Sequence, residues 1–363
     1  MTLWRYLLVC FLRALLAVQA VIALVVLLAA GVENLRRFSD AATLAVFRLT
    51  ALQAPEVLYQ AFPLVLMLAS LVTFLRLART SELVVMRAAG VSALRLIGVP
   101  AVAALALALA LVMLVNPLVA TSITTGAAME DTLRGRETSR LSVSADGLWL
   151  RQADPGGGQT VIQAARANPD GTILNRVRLH RFDPDGRLYA RIEAGSARLE
   201  TGHWLLVGAE EWLRTPDGRF DRSGDTVALR LATALTGQQI LDSFSPPETL
   251  SFWELGRFIG QMEEAGFSGR RHRLFLQSEL AKPALFAAMV LIGAAFALRP
   301  ARFGQVGVMI LLAVLAGFSL YFLKDFAESL GASGAIPLMV AAWTPPVAAI
   351  LLALGLLLHL EDG

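Results

Sequence analysis

The ten residues Ser81–Gly90 carry the strongest local sign of chemistry in this sequence: Ser-Glu-Leu-Val-Val-Met-Arg-Ala-Ala-Gly. Thr80 or Ser81 can cap a helix at its N-terminus, and Glu82 then lies in the first turn, where the helix dipole favours a carboxylate. Gly90 suits the end of such a helix. The pattern predicts a short, capped helix with one acid and an apolar stripe. Such a helix either docks in a partner protein or simply lies at a membrane surface.

A few basic residues beside apolar stretches form the second group of candidates. Arg36 and Arg37 follow the first apolar stretch, and Lys282 and Lys324 lie within or next to later ones. Cations at the rim of an apolar cavity can bind the phosphates of an anionic lipid, and the arginine fork suits bidentate contact. Simpler interpretations stay open, because arginine at a membrane interface often serves only as an anchor. Each lysine also has an acid one helical turn away. These acids are Glu279 and Glu328.

Signs of catalysis are absent from the sequence. The histidines lack the spacing of metal ligands, no G-x-S-x-G turn occurs, and Glu210 and Glu211 would point to opposite faces of a strand. Cys10 is the only cysteine, which excludes an internal disulfide and a cysteine-based metal site. No G-x-x-x-x-G-K-[ST] loop is present, so if the protein works with ATP, another subunit binds the nucleotide. We therefore predict a protein that is not an enzyme and has no resident metal or cofactor.

The composition places these residues in two different environments. The chain has 363 residues, 56% of them hydrophobic, and a formal net charge of +3. Residues 130–273 carry 39 charged side chains in 144 positions, whereas the other 219 residues carry only 22. Soluble domains are about one quarter charged, so the central segment is typical of a soluble domain and the flanks are typical of membrane. This excludes a single soluble fold, a disordered chain and a disulfide scaffold, and the central segment offers no basic surface for nucleic acid.

Six apolar stretches are long enough to cross a bilayer, which takes about 20 residues of helix. Three precede the charged central segment and three follow it. They are Ala14–Val32, Val57–Leu75, Leu96–Val119, Leu280–Leu298, Val306–Leu323 and Ile336–Leu358. The first could instead be a secretory signal peptide. It is longer than the usual apolar core of about 7–15 residues, however, and no clear cleavage site follows it.

Basic residues in the short connections predict the orientation, because they accumulate on the cytoplasmic side. With the N-terminus inside, eight basic residues lie on the inner side and four on the outer side. The inner ones are Arg5, Arg13, Arg76, Arg79, Arg87, Arg95, Arg299 and Arg302, and the outer ones are Arg36, Arg37, Arg48 and Lys324. We therefore expect both termini in the cytoplasm and the central segment outside, in the periplasm of a Gram-negative cell.

The central segment has the pattern of an all-β domain. Apolar and polar residues alternate in several short runs between about Gly147 and Leu241, and turns rich in glycine, proline and aspartate separate those runs. The alternating residues include Val161, Val177, Leu179, Leu188, Ala190, Ile192, Ala197, Leu199, Leu205 and Val207. Short strands of this kind predict an antiparallel sandwich, a jelly roll or an open barrel.

These features together resemble the LptF/LptG family of lipopolysaccharide export permeases over nearly the whole chain. The plan of three helices, one β domain and three more helices is unusual, and Ser81–Gly90 is the stretch most typical of the family. Asp146-Gly147-Leu148-Trp149 and Ile336-Pro337 look more like the LptG branch than the LptF branch. The resemblance implies an α-helical integral protein of the inner membrane, with six transmembrane helices and an inserted, jelly-roll-like periplasmic domain.

The resemblance also implies partners and site residues. Family members of the LptG type pair with LptF and with two copies of the ATPase LptB, which binds the ATP. The complex extracts lipopolysaccharide from the inner membrane and passes it to LptC and the periplasmic bridge toward the outer membrane. Glu82, with Arg87 beside it, matches the acid of the helix that engages LptB. Arg36 and Arg37 match a basic pair that contacts lipopolysaccharide phosphates, although a lysine often found one to two turns earlier is absent here.

The predicted domains are residues 1–129 with a coupling helix near residues 80–92, residues 130–273 outside the membrane, and residues 274–363. Three other functions stay open. The chain could be an LptF-type paralogue in the same complex. An ion-coupled transporter would usually need ionisable groups near the centres of its spans, where this sequence has almost none, and a tethered scaffold would need only one span.

Overall fold

The computed structural model describes most of the chain. The described residues are 2–39, 41–134, 142–144, 147–154, 158–168, 171–215, 217–233, 246–264, 267–298 and 306–362. The chain divides into two compact units. The helical unit comprises Met1–Arg134, Ser251–Trp253 and Arg273–Gly363, and the β unit comprises Gly135–Leu250 and Glu254–His272.

Long runs of leucine, alanine and valine form the principal helices, because a helix satisfies its backbone hydrogen bonds internally in an apolar environment. In chain order the helices are α1 (Thr2–Arg37), α2 (Thr43–Arg79), α3 (Glu82–Ala88), α4 (Ala93–Ala110), α5 (Asn116–Arg134), α6 (Phe252–Glu264), α7 (Arg270–Ala297), α8 (Val306–Ser333) and α9 (Leu338–Asp362). A π-helical turn, Leu111–Val115, joins α4 to α5, so that the third span covers 42 residues.

Six helices among the described residues are long and apolar enough to cross a membrane, which confirms the predicted three-plus-three arrangement. The helices are longer than the predicted apolar stretches, and the first runs from Leu3 to Arg37. In the first and fifth spans only 11% and 17% of the apolar segment is buried within the chain, against 61% in the fourth. Most of the apolar surface of α1 and α8 is therefore not covered by this chain.

A close contact between α2 and α7 lies in the core of the helical unit. Ser70 Oγ donates a hydrogen bond to the carbonyl oxygen of Val290 at 2.8 Å, and a Cβ atom added to Gly293 would clash with the carbonyl oxygen of Met67. Small residues at such crossings let two membrane helices approach closely and gain van der Waals contact. Large, fully buried side chains fill the space in this core. They include Phe11, Leu66, Phe74, Phe286 and Met289.

Pro117 gives the π-helical turn in the third span a physical cause. Proline has no N–H, and its ring displaces the carbonyl group four residues earlier, which is that of Met113. The Met113 oxygen accepts a hydrogen bond from Trp253 Nε1 at 3.1 Å. Next to it, Asn116 Oδ1 accepts one from the backbone N–H of Phe252 at 2.7 Å. The first residues of α6 are thereby attached to the third span within the helical unit.

Seven antiparallel strands form one sheet in the β unit. They are β1 (Ser142–Ser144), β2 (Gly147–Ala153), β3 (Gln159–Ala167), β4 (Ile173–Phe182), β5 (Leu188–Glu200), β6 (His203–Arg214) and β7 (Phe220–Ala232). Each strand pairs with the next along the chain. Gly186 and Gly218 have positive φ and end two of the predicted Pro-Asp-Gly turns. The inserted antiparallel all-β domain is thus confirmed.

One face of this sheet packs against α6 to form the core of the β unit. The alternation predicted for β6 is wrong by one residue. Trp204 and Leu206 are fully buried, whereas Leu205 is half-buried and Val207 is 44% exposed. The reason is that four consecutive apolar residues fit either parity of an alternating strand, and only the packing against α6 and the other strands selects one.

Candidate functional site

Helix α3 begins at Glu82, but its N-terminus is not built as the sequence suggested. Ser81 occupies the cap position with a left-handed φ of 60° and makes no side-chain capping hydrogen bond. Instead, Thr80 Oγ1 donates to Glu82 Oε1 at 3.0 Å, and Tyr6 Oη donates to Glu82 Oε2 at 2.6 Å. The predicted cap is replaced by a carboxylate that ties α3 to α1. Gly90, with a φ of 83°, follows the helix end as predicted.

These hydrogen bonds lower the pKa of the Glu82 carboxyl group, the bond from Tyr6 more than the bond from Thr80. Both bonds favour the ionised form, because a carboxylate accepts hydrogen bonds better than a carboxylic acid does. The charge expected at this helix end is therefore present at neutral pH. Sequence reasoning missed Tyr6 because it lies 76 residues before Glu82.

The surface of α3 combines this carboxylate with exposed apolar side chains. Val84 and Val85 are 65% and 67% exposed, whereas Leu83 is buried in the core of the helical unit. Arg87 is exposed in the last turn. We call Glu82, Val84, Val85 and Arg87 the α3 surface. Its mixture of charge and uncovered valine is typical of a protein-docking surface.

The two arginines at the end of α1 differ in their partners. Arg37 lies 3.7 Å from the carboxylate of Glu33 and 3.7 Å from that of Glu130. Arg36 is exposed and has no ion-pair partner within the part of the chain that the structure describes. Exposed pairs such as those of Arg37 contribute only about 0–1 kcal/mol each. The Arg36 guanidinium is therefore available to a ligand at once, and that of Arg37 after weak pairs open.

A buried polar cluster holds the end of α1 against the start of α2. Asn34 Nδ2 donates to Thr50 Oγ1 at 3.0 Å and to Gln53 Oε1 at 2.8 Å. Asn34 and Thr50 are both buried, where a satisfied amide gives a definite geometry. The cluster fixes the helical turn that carries Arg36. Sequence reasoning did not find it, because none of its members is charged.

Lys282 lies inside the helical unit rather than at an open rim. Its Nζ is 2.5 Å from Glu279 Oε1 and 3.6 Å from the centre of the Tyr59 ring. Tyr59 Oη donates to Glu279 Oε2 at 2.6 Å. The side chains of Glu279 and Lys282 are only 1% and 14% exposed. The ion pair expected from the sequence spacing is formed, and Tyr59 from α2 completes a buried triad.

Lys324 is engaged in the same way on α8. Its Nζ lies 2.8 Å from Glu328 Oε2 and 3.4 Å from Asp325 Oδ1. Glu328 Oε1 also accepts a hydrogen bond from Ser278 Oγ on α7, at 2.6 Å. Lys282 and Lys324 thus both hold acids of this chain. Either lysine would have to exchange or share its partner in order to bind a phosphate.

An apolar cavity of about 360 Å³ lies between α7, α8 and α9. Aliphatic and aromatic side chains dominate its lining, which suits a hydrocarbon chain rather than a polar ligand. The lining residues include Ile292, Phe296, Leu320, Leu323, Pro345 and Leu352. The helical unit therefore offers cationic groups at one end of α1 and an apolar space among its last three helices.

Comparison with known proteins agrees with this arrangement. The family model described as lipopolysaccharide export system permease LptF/LptG matches residues 5–359. The chain is 25% identical over 314 residues to the lipopolysaccharide export system permease protein LptG of Escherichia coli K12, which covers 85% of this chain and 84% of that protein. The protein of the same name from Escherichia coli O6:H1 (strain CFT073) matches with the same identity and coverage.

Proposed function

Because the chain belongs to the LptF/LptG family of lipopolysaccharide export permeases, we propose that it is the LptG-type subunit of an ATP-driven export complex. In this role it extracts lipopolysaccharide from the inner membrane and passes it to a periplasmic bridge. The observation that carries the proposal is α1, which contacts Glu82 through Tyr6 near one end and carries Arg36 at the other. A helix rises about 1.5 Å per residue, so α1 can join an ATPase site on one membrane face to a lipid site on the other.

The α3 surface is the proposed docking site for the ATPase LptB. This chain has no Walker A loop, so ATP is bound by LptB. The ionised Glu82 would meet a basic groove, Val84 and Val85 would enter an apolar pocket, and Arg87 would flank the contact. Movement of LptB would then reach α1 through the hydrogen bond between Tyr6 and Glu82.

Arg36 is the first proposed contact for a lipopolysaccharide phosphate, because its guanidinium has no competing acid among the described residues. Arg37 would follow by releasing Glu33 and Glu130. Lys282 and Lys324 remain proposed rim cations, each with its own carboxylate to displace. In this order the lipid first meets an exposed arginine and then more deeply placed lysines.

The uncovered surfaces of α1 and α8 are the proposed contacts with LptF and with the lipid itself. These two helices are the least buried of the six spans, and membrane helices with uncovered faces associate through van der Waals packing. We propose that the β unit hands the lipid to LptC. The branch of the family follows from Gly147-Leu148-Trp149 and Ile336-Pro337, whereas Asp146 lies outside the described residues.

Affinity purification of the tagged chain in detergent tests this function. We expect LptB and LptF to be recovered with it and lipopolysaccharide to be identified in the complex by mass spectrometry. A chain with Glu82→Lys serves as the control that should lose LptB while keeping LptF. Recovery of the unchanged chain without any ATPase would contradict the proposal.

We propose that both termini are cytoplasmic and the β unit periplasmic, and labelling of single cysteines tests this orientation. Cys10 is buried and is first replaced by serine. Ser196→Cys, on β5, should then react with a membrane-impermeant maleimide added to whole cells with a permeabilised outer membrane. Gly363→Cys should react only after the inner membrane is opened. The reverse pattern would show that the orientation is inverted.

Arg36→Ala is expected to reduce lipopolysaccharide loading about fivefold, since an exposed arginine–phosphate contact contributes about 1 kcal/mol after screening by salt. Arg37→Ala should have a smaller effect, because Arg37 already shares its charge with two acids. The measurement is crosslinking of lipopolysaccharide to a photoreactive residue at Val32, which is exposed on α1. Recovery of LptB with each variant checks assembly. Equal crosslinking in the wild type and both variants would mean that the pair is only an interfacial anchor.

A further inference from the structure

The sheet of the β unit is interrupted along one line that crosses four strands. Regular pairing is present on either side of this line, but residues on the line have no partner in the ladders from β3 to β6. These residues are Ala165, Arg176, Gly195 and Gly208. At this line the alternation of buried residues also changes parity, from Ala164 to Ala167 in β3 and from Val177 to Leu174 in β4. The sheet therefore carries a transverse crease.

The crease opens a trough of about 490 Å³ on the face of the sheet that is turned away from its core. Its floor consists of Ala165, Gly195 and Gly208, which have little or no side chain. One wall is a single cross-strand row of long polar side chains. That row is Gln163, Arg178, Glu193 and Glu210. We call this site the outer trough.

Arg176 is the cation in the outer trough that has no ion-pair partner among the residues described. Arg178 lies 3.5 Å from Glu193, and Glu210 lies 3.1 Å from Arg222. The wall is therefore internally neutralised, while Arg176 lines the trough and is exposed. A ligand would thus meet one available guanidinium beside paired carboxylates that can accept hydrogen bonds from hydroxyl groups.

Arg176 occupies a backbone conformation that favours glycine. Its φ is 51°, and Gly208 on β6 has a φ of 63° in the same crease. A residue with a Cβ atom is strained there, so glycine would serve the fold better than arginine. Strain kept at one residue of a polar cavity points to a role for its side chain. Because that side chain is a guanidinium, the role is anion binding.

We propose that the outer trough binds a phosphorylated oligosaccharide. The floor lets a sugar ring lie against the backbone, Gln163, Glu193 and Glu210 offer acceptors to its hydroxyl groups, and Arg176 binds its phosphate. This inference rests on the proposed function, because lipopolysaccharide carries such a saccharide. It assigns to the β unit a contact with the sugar portion of the lipid, separate from the apolar core on the other face of the sheet.

The first test is Arg176→Gly, for which stability and binding should change in opposite directions. Relief of the positive φ should slow hydrogen exchange of β4 amides about two- to fivefold in the full chain in detergent. Binding of core oligosaccharide, released from lipopolysaccharide by mild acid, should weaken about five- to tenfold in calorimetry. Faster exchange, or unchanged binding, would overturn the role of Arg176.

The second test is Gly195→Ala, which places a methyl group on the floor of the trough. Its Cβ would meet only the carbonyl oxygen of Val207, at an ordinary 3.6 Å, so the fold should tolerate it. We expect weaker oligosaccharide binding with unchanged β4 exchange. The matched control is Gly256→Ala on α6, where an added Cβ meets nothing within 4 Å. Equal binding by both variants would overturn the proposed position of the sugar.

Three probes define the ligand, namely the core oligosaccharide, the same molecule after removal of its phosphates, and inorganic phosphate. We expect the first to bind best. Equal binding of the dephosphorylated sugar would remove the reason for Arg176, and equal binding of inorganic phosphate would replace the sugar site by a simple anion site. Failure of the proposed function would appear elsewhere, as loss of LptB recovery or of lipid crosslinking to α1.

Discussion

Glu279→Ala is expected to destabilise the helical unit by about 3–5 kcal/mol, the usual cost of leaving one member of a buried ion pair without its partner. Glu279 accepts from Tyr59 at 2.6 Å and from Lys282 at 2.5 Å, and its side chain is only 1% exposed. Without it, the Lys282 ammonium group would keep its charge in a largely apolar site. We expect a sharp fall in the yield of folded protein and in its melting temperature in detergent.

A double substitution separates this charge effect from simple loss of side-chain volume. In Glu279→Ala with Lys282→Met, neither charge remains, and most of the lost stability should return because apolar replacements of a buried pair are often tolerated. Tyr59→Phe is the milder comparison, since it removes one hydrogen bond, worth about 1–3 kcal/mol when a charged acceptor remains. If the double variant melts no higher than Glu279→Ala alone, the triad does not act through its charges.

Glu82→Lys is expected to abolish coupling, with lipid release falling at least about tenfold and LptB recovery falling with it. The substitution reverses the charge of the α3 surface and also removes the acceptor for Tyr6 and Thr80. Because the pKa of Glu82 is lowered, its charge is present above the ordinary carboxyl pKa and is lost only as the pH falls through the lowered value. Coupling in the unchanged complex should therefore be insensitive to pH between about 6 and 8.

Two further variants show which part of Glu82 matters. Glu82→Gln keeps a hydrogen-bond acceptor and loses the charge, so it should lower LptB recovery. Tyr6→Phe keeps the charge and loses the bond to α1, so LptB should still bind while ATP hydrolysis drives less lipid release. The readouts are LptB recovery, ATP hydrolysis and lipid release from proteoliposomes. Normal LptB recovery with both Glu82→Lys and Glu82→Gln would exclude this residue from the docking surface.

Local patterns in the sequence were sufficient for the architecture. Six runs of apolar residues, each about as long as a bilayer is thick, predict six spans, because the apolar solvent constrains every residue of such a run independently. The contrast in charge between residues 130–273 and the flanks marks the inserted segment. The position of α3 also follows from adjacent residues, since the acid of its first turn and Gly90 beyond its end act within a few residues of each other.

Only the tertiary structure decided which partners the functional side chains hold. Glu279 lies 220 residues from Tyr59, and Glu82 lies 76 residues from Tyr6. Sequence spacing indicates the short-range pair of Glu279 and Lys282, but it contains no information on which helices pack together.

The parity of β6 and the crease in the sheet were undecided for a related reason. An alternating pattern is strictly local, and it is ambiguous in the run Trp204–Val207, where every residue is apolar. One extra residue per strand at the crease then reverses the pattern beyond it, as at Arg176. Residue type and spacing therefore determined the elements of this protein. Long-range packing alone decided which side chains are buried, which are paired, and which remain available to a ligand.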